Sequence, residues 1–141
     1  MATDGQKTTA GATPLDWRRP SWDEYFLKLA MLASERATCP RMHCGCVLVR
    51  DRFVLSTGYN GSLPGAPHCY TDGCIVVNNH CVRTNHAEIN AICQAAQHGI
   101  SLTGATAYVT NMPCTACAKA WSRPGSGAWS SSVTSTRPWP R

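Results

Sequence analysis

An α/β domain, with helices laid on a short-stranded sheet, follows from three features of the sequence. Two segments of helical apolar period each open on a capping signature, three short runs read as strands between polar turns, and a proline sits in the first turn of a third helix. At 141 residues the chain is long enough for one core, since domains usually run ~100–200 residues.

Each element can be justified in order. Residues Met1–Pro14 are rich in Thr, Ala and Gly without periodicity, so residues 1–20 are read as a disordered tail. Ser21 and Glu24 form a capping-box pair, and Trp22, Phe26, Leu29, Ala30 and Ala33 recur at helical spacing, predicting a helix over about Trp22–Ala37 that Pro40 stops. Cys46–Val49 and Phe53–Leu55 read as a hairpin around Arg50-Asp51-Arg52. The Gly-, Pro-, Asn- and Cys-rich stretch 60–84 is too long for an idle connection and calls for a clamp. Asn85 with Glu88 predicts a second helix cap, Ala87, Ala91, Ile92, Ala95 and Ala96 line that helix, and Gly99 ends it. Thr106–Thr110 alternates as a strand, and Cys114 and Cys117 fall on the helix that Pro113 begins.

Composition narrows the functional classes. There is no run of about 18 apolar residues, so no membrane-spanning helix is expected. The net charge of +5 is scattered and forms no basic block, and no nucleic-acid partner is expected. The polar start carries Asp4 and Lys7 with no apolar centre, so a cytoplasmic location is the expectation. Nine cysteines, an odd number, in a reducing compartment point to metal ligands and buried thiols in preference to disulfides.

His86, Cys114 and Cys117 fall at strand-to-helix junctions, where helix N-termini favour thiolates. One imidazole and two thiolates around Zn2+ leave a fourth position for water, which the metal acidifies to a pKa near ~7. Glu88, two residues after the histidine, is placed to move protons as general acid and base, which a purely structural ion does not require.

Taken together, His86-Ala87-Glu88 and Pro113-Cys114-Thr115-Ala116-Cys117 are identified as the signature of zinc nucleobase deaminases. Ser21-Trp22-Asp23-Glu24-Tyr25-Phe26, Gly58-Tyr59-Asn60-Gly61 and Cys81-Val82-Arg83-Thr84-Asn85-His86-Ala87-Glu88 resemble deoxycytidylate (dCMP) deaminases. Ala37-Thr38-Cys39-Pro40-Arg41 and the pairs His68-Cys69, Gly73-Cys74 and His80-Cys81 are similar to the bacterial branch encoded in late-competence operons. The resemblance covers about Ser21–Ala120 and implies a three-layer α/β/α cytidine-deaminase-like fold with a mixed sheet. It also implies hydrolysis of dCMP to dUMP and ammonia, homo-oligomers, and regulation by dCTP or dTTP. Asn60 matches the family asparagine that contacts the sugar, while Arg83 is read as a phosphate contact. Gln97 stands where the family often carries a basic residue.

The resemblance further implies a second, structural zinc with candidate ligands Cys39, Cys69, Cys74, His80 and Cys81, since a relative uses cysteines matching Cys39 and Cys69. Cys44, Cys46 and Cys93 are read as buried thiols without chemistry. After Ala120 the resemblance stops. Residues 121–141 are read as an aberrant or disordered tail, arising from a shifted reading frame that removes the later strands and helices. The alternatives are a deaminase of another nucleoside, base or tRNA, a non-catalytic zinc module, and an inactive, frame-damaged deaminase.

Overall fold

The computed structural model describes residues 18–122. Most of the expected N-terminal tail, and the tail from residue 123 with its proposed frame shift, lie outside the described residues. The elements run α1 (Trp22–Ser34), β1 (Gly45–Arg50), β2 (Phe53–Tyr59), α2 (Cys69–Asp72), β3 (Val76–Val77), β4 (His80–Cys81), α3 (Ala87–Gln97), β5 (Thr106–Val109) and α4 (Thr115–Trp121).

Helix α1 opens on the expected capping box. The Ser21 hydroxyl accepts from the Glu24 amide and the Glu24 carboxylate accepts from the Ser21 amide. Ser21→Ala should cost about 1 kcal/mol in a denaturation experiment. The helix ends at Ser34, short of Ala37, because its last residues tighten into i→i+3 bonds, Arg36 to Ala33 and Ala37 to Ser34.

β1 and β2 form the expected hairpin, with Asp51 and Arg52 both at positive φ, 52° and 65°, as a two-residue turn of matching twist requires. Arg52 is a costly residue for that conformation. Its guanidinium lies 5.1 Å from the Trp22 ring centroid, a cation–π contact that offsets part of the cost.

β1 is the centre of a three-stranded sheet ordered β2-β1-β5. Both pairings are antiparallel, so the mixed sheet expected from the resemblance is antiparallel across all three strands. Side chains alternate across β1. Cys46 and Leu48 pack with Ala87, Ala91, Ala107 and Trp121, whereas Val47 and Val49 pack with Phe26, Ala30 and Tyr108. The sheet is thus sandwiched between α1 on one face and α3 with α4 on the other, the expected three layers.

Two glycines allow the layers to close. A Cβ on Gly45 would lie 1.9 Å from the Ala30 carbonyl oxygen of α1, and one on Gly58 would lie 2.2 Å from the Ala87 carbonyl oxygen of α3.

Three boundaries differ from expectation near the site. The N-cap of α3 is His86, with extended backbone at φ −71°, ψ 154°; Asn85 instead pairs its backbone with Gly61 and donates its side-chain amide to Asn90. Pro113 precedes the N-cap of α4, which is Cys114 itself. Trp121, expected to begin the irregular tail, closes α4 and is buried in the core. The long stretch 60–84 carries α2 and the small β3–β4 hairpin, turned through Asn78 and Asn79 at positive φ.

Candidate active site and metal centres

Sequence order separates His86 from Cys114 and Cys117, but the sheet brings them together. The carbonyl end of β2 and the start of α3 are joined by reciprocal backbone bonds between Gly61 and Asn85, which fixes His86 at the helix start. β5 runs beside β1 and delivers Cys114 to the start of α4, where the Cys114 sulfur accepts from the Cys117 amide.

The His86 Nδ1 lies 3.5 Å from the Cys114 sulfur and 3.4 Å from the Cys117 sulfur. Ligand bonds of roughly 2.0 Å to nitrogen and 2.3 Å to sulfur, at a tetrahedral angle, separate N from S by about 3.6 Å. The trio therefore has the donor types and the spacing for one zinc ion. Burial, with the Glu88 and Cys114 charges adding to it, pushes the Cys117 thiol up despite its place in the first turn of α4. The helix terminus alone does not offset that burial.

Glu88 sits in the first turn of α3 and, with His86, Cys114 and Asn60, lines a cavity of about 540 Å³. That volume lies in the ~300–1,000 Å³ range of small-molecule sites. Asn60 is nearly fully buried, with its Oδ1 accepting from the Cys44 amide at 2.7 Å and its Nδ2 donating to the Met42 carbonyl at 2.7 Å. It holds the 42–44 wall in place and retains one donor hydrogen and one acceptor lone pair for a ligand.

A second group forms under the long loop. The sulfurs of Cys39, Cys69, Cys74 and Cys81 all lie within 4.8 Å of one another, with Cys39–Cys74 at 3.7 Å and Cys69–Cys81 at 3.5 Å. Tetrahedral Zn–S bonds of roughly 2.3 Å put sulfurs about 3.8 Å apart, so this quartet also fits zinc, with its coordination sphere closed by protein. Although burial works against the Cys81 thiolate, the Arg83 and Thr84 amides and the Cys69 thiol outweigh it and bring Cys81 down to about 6. His80, the fifth candidate, lies outside the quartet and lines the cavity instead.

Several other expectations shift. Arg83 is not among the described residues that line the cavity, and its Nε is buried without a partner among those residues; Arg41 lines the cavity in its stead. Cys46 is buried as expected, but Cys93 is exposed on α3. Cys44 is half-buried and faces the cavity, where its thiol donates to Asn111 Oδ1 at 3.4 Å. Burial, followed by the charges of Glu88 and Cys39, pushes Cys44 up to about 12, so it stays a neutral thiol. Asn111 and Asn79, also on the cavity, carried no motif of their own; nearness to Cys114 and Cys81 was the available signal.

An imidazole and two thiols of metal-binding spacing beside a carboxylate in an open cavity define a candidate metal centre. Residues 20–129 match the family described as the cytidine and deoxycytidylate deaminase zinc-binding region, and the chain belongs to that family. The match runs past Ala120, where the resemblance was expected to stop.

Among its relatives is the ComE operon protein 2 of Bacillus subtilis, 46% identical over 101 residues, covering 72% of this chain and 53% of that protein. The deoxycytidylate deaminase of Saccharomyces cerevisiae is 40% identical over 105 residues, covering 70% of this chain and 33% of the relative. The chain thus spans about half or less of these two relatives' lengths. In contrast, the deoxycytidylate deaminase of Mycobacterium phage D29, at 43% identity, is covered over 84% of its length. The crystal structure of the dCMP deaminase from cyanophage S-TIM5 in complex with dCMP and dUMP superposes with a TM-score of 0.67 at 28% identity, covering 78% of this chain and 79% of that one.

Proposed function

We propose that this chain hydrolyses dCMP to dUMP with release of ammonia. The observation that carries the reading is Glu88 on the same cavity as His86 and Cys114, which gather with Cys117 into a group of three donors, one short of a closed tetrahedral sphere. Relatives named deoxycytidylate deaminases and a neighbour holding dCMP and dUMP support the substrate.

His86, Cys114 and Cys117 hold the zinc, which when bound supplies a Lewis acid that brings the ionisation of a water molecule into the neutral range. Glu88 takes one proton from the water and passes it to the adjacent ring nitrogen as oxygen adds to the base carbon bearing the amine, then carries the remaining hydroxyl proton to the exocyclic nitrogen as that C–N bond breaks. Water is consumed, ammonia leaves and the carbonyl of dUMP remains. Asn60 keeps the wall of the cavity fixed and offers its remaining amide hydrogen to the sugar. Cys39, Cys69, Cys74 and Cys81 hold a second, structural zinc that ties the end of α1 to the 69–81 segment, a closure that would otherwise cost conformational entropy.

A homo-oligomer, control by dCTP or dTTP, a cytoplasmic location and a small nucleotide partner in place of nucleic acid belong to the same reading. No described helix is long and apolar enough to cross a membrane.

Metal analysis with a dCMP assay tests this. We expect about two zinc ions per chain, about one in Cys81→Ser, and stoichiometric dUMP and ammonia from dCMP. Fully zinc-loaded protein that releases no ammonia from dCMP would overturn the substrate assignment.

A further inference from the structure

We infer that Asn111, oriented by Cys44 and Thr110 so that its amide hydrogens are left for a cavity ligand, reads the 2-carbonyl oxygen of the pyrimidine ring. This rests on the deaminase reading of the cavity and adds to it a side chain outside the motifs and both cysteine groups.

Asn111 and Cys44 line the cavity together with Asn60, Glu88, His86 and Cys114. The Asn111 Oδ1 accepts twice, from the Thr110 hydroxyl at 3.0 Å and from the Cys44 thiol at 3.4 Å. Thr110 is itself set by the end of the sheet. Its Oγ1 accepts from the Gly45 amide at 3.0 Å and its own amide donates to the Gly45 carbonyl at 3.1 Å, so the hydroxyl hydrogen is left to donate onward. Burial keeps Cys44 protonated, so its thiol remains a donor. The oxygen of the Asn111 amide is thus occupied from the protein side. Its two Nδ2 hydrogens meet no acceptor among the described residues, and donors are what Asn111 has to offer a ligand.

Cys44 also relates Asn111 to the rest of the ligand. Its backbone amide donates to Asn60 Oδ1 at 2.7 Å while its thiol donates to Asn111, so one residue joins the two asparagines. Asn60 meets the sugar. Cys114, three positions after Asn111, belongs to the trio at which the amine-bearing carbon reacts. The base spans the interval between those points, and Asn111 stands in it. A pyrimidine joined to the sugar at one end and reacting at the other presents two long edges. One carries two C–H groups; the other carries a ring nitrogen and the 2-carbonyl. Amide donors find partners only on the second edge. Glu88 serves the ring nitrogen during the reaction, which leaves Asn111 the 2-carbonyl, an acceptor common to dCMP and dUMP.

Calorimetric binding of dUMP and of its 2-thio analogue to the zinc-loaded chain tests the assignment without turnover. Sulfur is a weaker acceptor than oxygen, and the two ligands are alike elsewhere. We expect wild type to prefer dUMP by about 3–10-fold, the range of one neutral hydrogen bond. Asn111→Leu should bring the two affinities within about 2-fold by weakening dUMP, with zinc content unchanged. Asn111→Asp keeps the shape and the accepting oxygen but puts a second oxygen where the amide nitrogen stood, and should also remove the preference. Cys44→Ser retains a donor and should retain the preference, whereas Cys44→Ala frees the amide to turn and should narrow it. A wild type with no preference, an Asn111→Leu variant that keeps it, or a Cys44→Ala variant equal to wild type would overturn the assignment. Should dCMP go unhydrolysed while Asn111 still sets the preference, the deaminase reading fails and the base contact stands.

Discussion

Glu88→Gln should lower dCMP turnover by about 10²–10⁴-fold while leaving zinc at both sites, as measured by kcat together with metal analysis. The glutamine amide has nearly the carboxylate's shape, so the first turn of α3 and the cavity wall should keep their form. It cannot accept and return a proton. A variant retaining near-wild-type turnover would remove Glu88 from the chemistry. A variant losing zinc would make Glu88 a support for the trio, not a proton carrier, and would favour a non-catalytic metal module.

Gly58→Ala should have the largest effect on the fold that also reaches the site. The added methyl would sit 2.2 Å from the Ala87 carbonyl oxygen and 2.5 Å from the Ala91 amide, both on the backbone of α3, so no side-chain rotation relieves it. Overpacking of this kind costs about 1–3 kcal/mol or more, a loss of roughly 5–20 °C in Tm for a domain of this size. Because α3 carries His86 at its cap and Glu88 in its first turn, protein that remains folded should also lose activity. Thermal melts and assays on the same preparation check both. An unchanged Tm would show that β2 and α3 are not packed this tightly in solution.

The gathering of His86, Cys114 and Cys117 beside Glu88 was legible because its signal is local: two short motifs, each at a helix start, chemically specific when taken together. α1 was legible for the same reason, its capping box and apolar period being properties of neighbouring residues. The four-cysteine quartet was half legible. Residue type identified its members, but only the fold of the 69–81 segment separates Cys74, which joins the sulfurs, from His80, which turns toward the cavity. Arg41 and Arg83 show the limit most clearly. Each is an arginine on a cysteine-flanked loop, and position in the chain favoured Arg83 for its nearness to His86, whereas long-range pairing of the loops puts Arg41 on the cavity. The N-cap of α3 shifted from Asn85 to His86 because Gly61 captured the Asn85 backbone, a contact across the molecule that no local pattern encodes.

The alternation along β1 has a consequence for how the chain finds its register. Cys46 and Leu48 answer to one helix layer, Val47 and Val49 to the other, and all four are buried. A slip by a single position would present the wrong pair to both helices at once, so an error that a one-sided sheet might tolerate is rejected twice. The middle strand therefore acts as a proofreader for the whole assembly, and the alignment of His86 with Cys114 and Cys117 is settled by small apolar side chains that never touch the metal.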